Sequence, residues 1–382
     1  MNFFEFISEK HPHYSEPFQH SSFSPLFCSN HVVGLPEKDK SVIHHCVRAL
    51  DVIRRSPHYS KSVLTDAFLS RIPDPGNRSV FMGYDFYLEP EGPRLIEINT
   101  NAAGALVVAL LNDFHGTDFF NQQVETLFLM FKEELRLSGK SDTPRHVVIC
   151  DELPLEQRTY FEFFLFQRFF EACGWSASIE DITTLKWDEQ SKTLFTADGK
   201  AIDLVYNRSC DFQFETPVTQ TLYSAWINKA VCVTPNPYEY MLMADKERLI
   251  DFSNPEFLKP FSLSGDEKEA LAICIPSALL IQNEDKDELW AKRKKLFFKP
   301  ARSFGSKACY KGESMSKKVF EHVIHSDYIA QPYFEAPLHE GFKYDIRTYV
   351  YKDAVQQYGS RLFKGQVMNF QTEGGGFGGV KA

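Results

Sequence analysis

"RLIEINTNAAGALVVALL" spans Arg94–Leu111, and its reading decides the fold. An apolar strand ends at "EIN" and a run of small residues follows directly. Alternate side chains of a strand share a face, so Leu95, Glu97 and Asn99 are expected on one side and Ile96 and Ile98 on the other. A carboxylate and an amide oxygen side by side make a poor core and a good pair of hard ligands for Mg2+. A solvated strand face is the competing reading, which only the rest of the chain can weigh.

Upstream, "SVFMGYDFYLEP" and "PRLIEINT" read as two strands joined by the turn "EPEGP". Downstream, a helix is expected from about 103 to 136, and "SGKSDTP" at 138–144 marks a domain boundary. "HVVICDELP" then reads as a buried strand. "LEQRTYFEFFLFQRFFEACG" reads as a helix with a wide apolar face, stopped at Gly174. "AIDLVYNRS" and "VCVTPN" are further strands, so 146–235 is expected to form an α/β layer. From Tyr238 a helix leads into "ADKERLIDFS". Residues 1–60 yield little beyond a helix near 38–56.

With 382 residues, 43% of them hydrophobic, the chain is long enough for two or three packed units and is not disordered. A net charge of −9 argues against a general nucleic-acid or anionic-membrane surface. The eight cysteines show no CxxC and no zinc-like spacing, so reduced thiols in the cytoplasm are expected. Apolar runs such as "LAICIPSALLI" are too interrupted to span a bilayer. The 35 phenylalanines cluster in amphipathic runs and read as core filling.

Against that acidic background, 292–318 holds ten Lys/Arg and one acid, Glu313. Within it, "LFFKPARSFGSKACYKG" ends an apolar strand on Lys299. It continues into a loop with Ser303, Gly305 and Ser306, then Lys307 and Lys311. Glycine and serine let backbone N–H groups close on a phosphate, and the lysines add point charges. "SDYIAQPYFEAP" has the pattern of a segment whose backbone could pair with an adenine edge. "YDIRTYVY" alternates, with Asp345 and Arg347 on one face; a cross-strand ion pair is the plain alternative for them. Arg361, Lys364 and Asn369 follow. Two look-alikes drop out. "SGKS" at 138–141 lacks the first P-loop glycine, since Glu134 stands there. "GGGFGG" at 374–379 is followed by only three residues, too few for the helix that a dinucleotide site uses.

Taken together, "FFKP" with its Gly/Ser loop, "YIAQPYF", "DIR", an arginine-bearing strand and "EIN" beside an Asp-bearing strand resemble the ATP-grasp family. Ordinary members carry the Asp strand and E-x-N last. Here "GYDFYL" and "IEINTNAAG" precede the lysine loop. The order therefore resembles the circularly permuted members, which include relatives of glutathionylspermidine synthetase and glutathione synthetase. The resemblance covers roughly 78–135 and 200–380. It implies an α+β and α/β chain, an ATP-grasp fold in permuted order with an α/β pre-ATP-grasp substrate domain. It implies Asp85, Glu97 and Asn99 as ligands of Mg2+, in two ions, and Lys299, Lys307 and Lys311 on the phosphates. It implies Gln331, Pro332, Tyr333 and Phe334 as the adenine hinge, with Glu335 or Asp345 at the ribose. Arg347 and Arg361 would meet phosphate or acyl phosphate, and Asn369 would complete the metal or phosphate shell. Gln331 and Pro332 depart from the glutamate of many relatives, and Gly83 from the arginine of several.

The implied activity is an ATP-dependent carboxylate–amine ligase acting through an acyl phosphate, with ATP and a small acid and amine as partners. A small-molecule phosphotransferase and a non-catalytic nucleotide-binding protein are the alternatives. Arg208, just after an apolar strand, and Asp211 are substrate candidates, with a surface Arg–Asp pair as the structural alternative. The expected division is 1–60 of unassigned role, 61–140 carrying the metal ligands and 141–240 as the substrate domain. The lysine lobe follows at 241–330, and the hinge and remaining lobe at 331–382.

Overall fold

Met82–Glu89 and Gly92–Asn99 form an antiparallel pair, with Asp85 opposite Glu97 and Gly83 opposite Asn99. The protein is described here from a computed structural model, covering residues 1–301, 308–366 and 368–382. The strand pair contains a bulge: Asp85 faces Glu97 while its neighbour Phe86 faces Leu95, leaving Ile96 as an extra residue. Leu95 therefore enters the core with Phe86, Tyr84 and Ile98, while Asp85, Glu97 and Asn99 hold the opposite face. The expectation that Leu95 shares the face of Glu97 is corrected, because strict alternation fails across a bulge.

This pair is one edge of a seven-stranded sheet. From the other edge the order is Cys28–Gly34, Gly376–Lys381, Ala354–Phe363, Phe342–Tyr351, Met82–Glu89 and Gly92–Asn99, with Leu338–His339 also pairing with Phe342–Tyr351. Cys28–Gly34 runs parallel to Gly376–Lys381, so a strand from the early chain and one from its last residues lie side by side. The glycine-rich tail is thus a sheet strand, consistent with its rejection as a dinucleotide fingerprint.

The expected helix over 103–136 is two helices, Ala105–Phe114 and Phe120–Leu137. Gly116 takes a φ of +66°, Thr117 N–H returns to the Asn112 carbonyl and Gly116 N–H to that of Asp113. That reciprocal closure ends a helix, and apolar periodicity does not register it. Glu134, fully buried on the second helix, accepts hydrogen bonds from Asn77, Arg78 N–H, Ser79 N–H, Thr234 and Tyr351 at 2.7–2.9 Å. It thereby fixes the start of the Asp85 strand to two other units.

The α/β layer is present as a parallel sheet ordered Cys232–Thr234, Leu204–Asn207, Val147–Asp151, Ala177–Asp181. The helix Tyr160–Ala172 packs Phe161, Phe166, Phe169 and Phe170 into its core. A third, antiparallel sheet is ordered Leu279–Leu280, Tyr328–Pro332, Leu296–Pro300, Tyr310–Lys311. The helix expected from Tyr238 is interrupted: a π-turn at Tyr240–Ala244 precedes Asp245 and Lys246, and a helix resumes at Arg248–Ser253. Before residue 60 lie Cys28–Gly34, the helix Glu37–Arg54, and the helix Phe3–Lys10, whose N-terminus Asn2 and Glu5 close reciprocally. Among the described residues no helix is long and apolar enough to cross a membrane.

Candidate active site

Two chambers open between these sheets. The first has about 850 Å³ of empty space between the central sheet, which contributes Tyr87, Glu97, Asp345 and Arg361, and the third sheet, which contributes Phe297, Lys299 and Gln331. The second, with about 1700 Å³, lies toward the parallel sheet and includes Asn99, Asn101, Asp151, Arg208 and Arg347. Glu97, Lys246, Arg361 and Met368 line both. Glu97, Lys299 and Arg361, far apart in sequence, thus share one cleft.

The bulge builds the junction. Lys299 is 3% exposed, and its Nζ donates to the carbonyl of the extra residue Ile96 at 2.8 Å. A bulged residue falls out of the strand ladder, so this carbonyl can serve the lysine. Burial pushes the Lys299 ammonium down to about 8, with Glu97 opposing and Lys246 reinforcing the shift. Burial also disfavours a charged Glu97, but Lys246, Lys299 and Arg361 outweigh it and hold the carboxyl at about 2.

Beside Glu97 lies a buried quartet of two acids and two arginines. Arg347 holds Asp85 bidentately, and Arg361 reaches Asp85 Oδ2 at 2.7 Å. Arg361 also makes two bonds to Asp345, at 2.8 and 2.7 Å. Burial raises the Asp345 carboxyl, with Arg361 opposing. Asn99 donates to Asp85 at 3.1 Å and to Glu97 at 3.2 Å. A Cβ at Gly83 would come within 3.3 Å of Arg347 Nε. It would also come within 2.6 Å of Ala102 Cβ, so this packing leaves no room for a larger side chain at 83.

The structure gives several of the expected residues partners within the protein. Both oxygens of Asp85 accept from guanidinium groups, Oδ1 from Arg347 and Oδ2 from Arg347 and Arg361. Asp345 accepts one bond from Arg361 on each oxygen and lines the first chamber. Lys311 pairs with Glu313 at 2.9 Å and lies 4.3 Å from the Tyr333 ring centroid, lining neither chamber. Lys364 lies over the Phe342 ring, and Glu335 is exposed, 3.7 Å from Lys343. Asn369 lines the second chamber, but its amide closes its own turn through Lys364 O, Gln371 N–H and Thr372. Asp211 accepts from Glu215, Thr216 and Thr219 and anchors a loop. Ser303, Gly305, Ser306 and Lys307 lie outside the described residues.

Other expected residues do line the chambers. Arg208 is buried in the second, bonded to Asn101 and to the Tyr206 hydroxyl. Gln331, Pro332, Tyr333 and Phe334 line the first. Pro332 has no N–H, and that of Tyr333 goes to Lys295 O at 2.8 Å, so neither offers a backbone donor to a base. Gln331 Oε1 is buried without a partner among the described residues.

Lys246 and Asp151 escaped sequence reasoning. Lys246 follows an apolar run, as Lys299 does, and that shared signal could have found it. Asp151 ends a parallel strand, where ligands of such sheets collect, and burial pushes its carboxyl up to about 6.

The donor set fits Mg2+: Glu97 keeps its charge and Asn99 brings an amide oxygen, hard donors of the kind that ion takes.

No protein-family model matches the chain, and no curated protein matches it. Among solved structures, the chain is similar to a glutathione synthetase-like effector from Globodera pallida in its apo form. The identity is 12% and the TM-score 0.59, over 93% of this chain and 89% of that chain. It is also similar to a putative gamma-glutamylcysteine synthetase from Methylobacillus flagellatus KT. There the identity is 10% and the TM-score 0.52, over 91% and 86% of the two chains. At such identities the likeness speaks for architecture. With a lysine- and carboxylate-lined cleft between two sheets, the chain shares the fold of these glutathione synthetase-like and gamma-glutamylcysteine synthetase-like structures.

Proposed function

We propose that this chain is an ATP-dependent ligase that joins a carboxylate to an amine through an acyl phosphate. The observation that carries the reading is the shared wall of Glu97, Lys246 and Arg361 between a narrow chamber and a wide one. ATP would lie in the first, its base between Phe297 and the Tyr333–Phe334 segment. The acid and the amine would meet in the second. A carboxylate oxygen attacks the γ-phosphorus at the junction and ADP leaves. The amine nitrogen then attacks the acyl carbon, the C–O bond to phosphate breaks, and the amine loses a proton.

Phosphoryl transfer asks a protein for position and countercharge. Lys299 and Lys246 supply cations at the junction. Arg361 is held from behind by Asp85 and Asp345, so its charge is oriented before substrate arrives, which is where electrostatic catalysis gains most. Held by Glu97 and Asn99, Mg2+ would neutralise phosphate charge. Arg208 and Arg347 face the acid, and Asp151 is the carboxylate best placed in the second chamber to take the proton of the amine. The order of the central sheet, with the Asp85–Glu97 pair ahead of the lysine lobe in sequence, supports a circular permutation. In that arrangement 61–140 supplies the metal ligands, 141–240 the substrate domain and 241–330 the lysine lobe.

The test is incubation with ATP, Mg2+ and pooled acids and amines, read by phosphate release and product mass. A ligase releases phosphate only when both substrates are present. Phosphate retained on a product identifies a phosphotransferase. ATP binding with neither outcome identifies a nucleotide-binding protein without catalysis.

A further inference from the structure

The edge strand Cys28–Gly34 and the hairpin that leads into Phe342–Tyr351 bring together two imidazoles and a carboxylate. His31 lies on Cys28–Gly34. His339 and Glu340 lie at the turn between Leu338–His339 and Phe342–Tyr351. One donor atom from each lies within 4.8 Å of the others, the one such group of three among the described residues. His31 Nδ1 is 2.8 Å from Glu340 Oε2, and the two imidazole rings stand at 87° with centroids 5.7 Å apart. We propose that His31, His339 and Glu340 form a binding site for a divalent transition-metal ion of the Zn2+ type, separate from the nucleotide cleft.

The donor chemistry selects the ion. Two neutral imidazoles and one carboxylate give three protein ligands and leave a fourth position for water, a common arrangement for Zn2+. Mg2+ and Ca2+ seek oxygen and gain little from two ring nitrogens. The carboxylate offsets part of the metal charge. An ion pair between His31 and Glu340 would explain two of the three groups. It leaves the second imidazole unused, whereas a metal engages it.

The scaffold suits the task. Glu340 and Gly341 have φ of +49° and +83°, the signature of a two-residue turn that joins two strands tightly. Such a turn holds His339 and Glu340 at a fixed offset. The His31 ring packs against Phe342 at 5.0 Å, which limits its rotation. A bound ion would fasten the early strand to the hairpin whose second strand carries Lys343 and Asp345 into the first chamber.

The test uses the full chain, stripped of metal and titrated with Co2+, whose visible absorption reports ligand type. One Co2+ per chain, displaced by Zn2+, is the expected result. Zn2+ should also raise the thermal unfolding temperature. His339→Ala should remove both the absorption and the Zn2+ effect while the chain stays folded, and Glu97→Gln should retain both. Absence of Co2+ absorption in the wild type overturns the proposal. So does one-to-one binding that survives in His339→Ala, since it would belong to cysteines or to the cleft.

Discussion

Arg347 grips Asp85 through two parallel hydrogen bonds of 2.7 Å, Nε to Oδ1 and Nη2 to Oδ2, across 262 residues of sequence. With Arg361 and Asp345 it forms a neutral buried quartet that stiffens the floor of the cleft.

Asp85→Asn should therefore act mainly on stability. It leaves two buried guanidinium groups short of countercharge, and breaking such a pair costs about 3–5 kcal/mol. Urea unfolding measures this. Unchanged stability with an altered Mg2+ requirement would place Asp85 in the metal shell.

Glu97→Gln should leave the fold and ATP affinity largely intact and cut turnover hard. The amide matches the carboxylate in shape, so packing is kept, and the lost charge matters most as the phosphoryl group moves. Asn99→Ala should act in the same direction more mildly, because water can replace a neutral ligand. Phosphate release against Mg2+ concentration is the measurement. Wild-type rates in Glu97→Gln, with no shift in Mg2+ requirement, would make "EIN" an ordinary strand end.

Lys299 sets a pH dependence. Its ammonium sits at about 8 in the free protein, and phosphate prefers the protonated form. ATP affinity should thus be full below that value and fall as pH rises through it, with proton uptake on binding at alkaline pH. Stability without ligand should change in the opposite sense. The unfolded lysine, near 10.5, binds more protons than the folded one, so this term grows more favourable from about 8 to 10.5. Lys299→Ala should weaken ATP by about ten- to a hundredfold, the equivalent of one or so charge-assisted hydrogen bonds. Calorimetry in buffers of different ionisation enthalpy checks both, and pH-independent affinity in the wild type would reject the role.

Gly83→Ala should disturb the same quartet from its other side. The added methyl would sit 2.6 Å from Ala102 Cβ and 3.3 Å from Arg347 Nε, so backbone or guanidinium must shift. Overpacking of this kind costs about 1–3 kcal/mol. An alanine variant as stable and as active as the wild type would mean that the quartet tolerates displacement.

Sequence legibility followed distance along the chain. The strand pair around "EIN", the lysine strand, the parallel layer and the helix Glu37–Arg54 could be read because their patterns repeat every two or every three to four residues. The bulge at Ile96 could not, since it depends on which residue of the partner strand each one meets. The commitment of Asp85 to Arg347 was hidden likewise, because "GYDFYL" and "DIRTY" do not announce that they lie side by side. Lys246 had a signal in the apolar run before it, but the π-turn at Tyr240–Ala244 that breaks the helix there leaves no mark in the apolar periodicity. Asp211 has the composition of a substrate ligand, but the hydroxyls and N–H groups within eight residues of it claim its oxygens first.

The parallel pairing of Cys28–Gly34 with Gly376–Lys381 carries a cost in time. A ribosome adds on the order of 5–20 residues per second, so the early strand waits roughly 20–70 s for the partner that completes its edge of the sheet. Throughout synthesis that strand and Ala354–Phe363, once made, present unpaired edges to neighbouring chains. Slower elongation should therefore favour aggregation of the nascent protein, whereas the finished chain closes that edge upon itself.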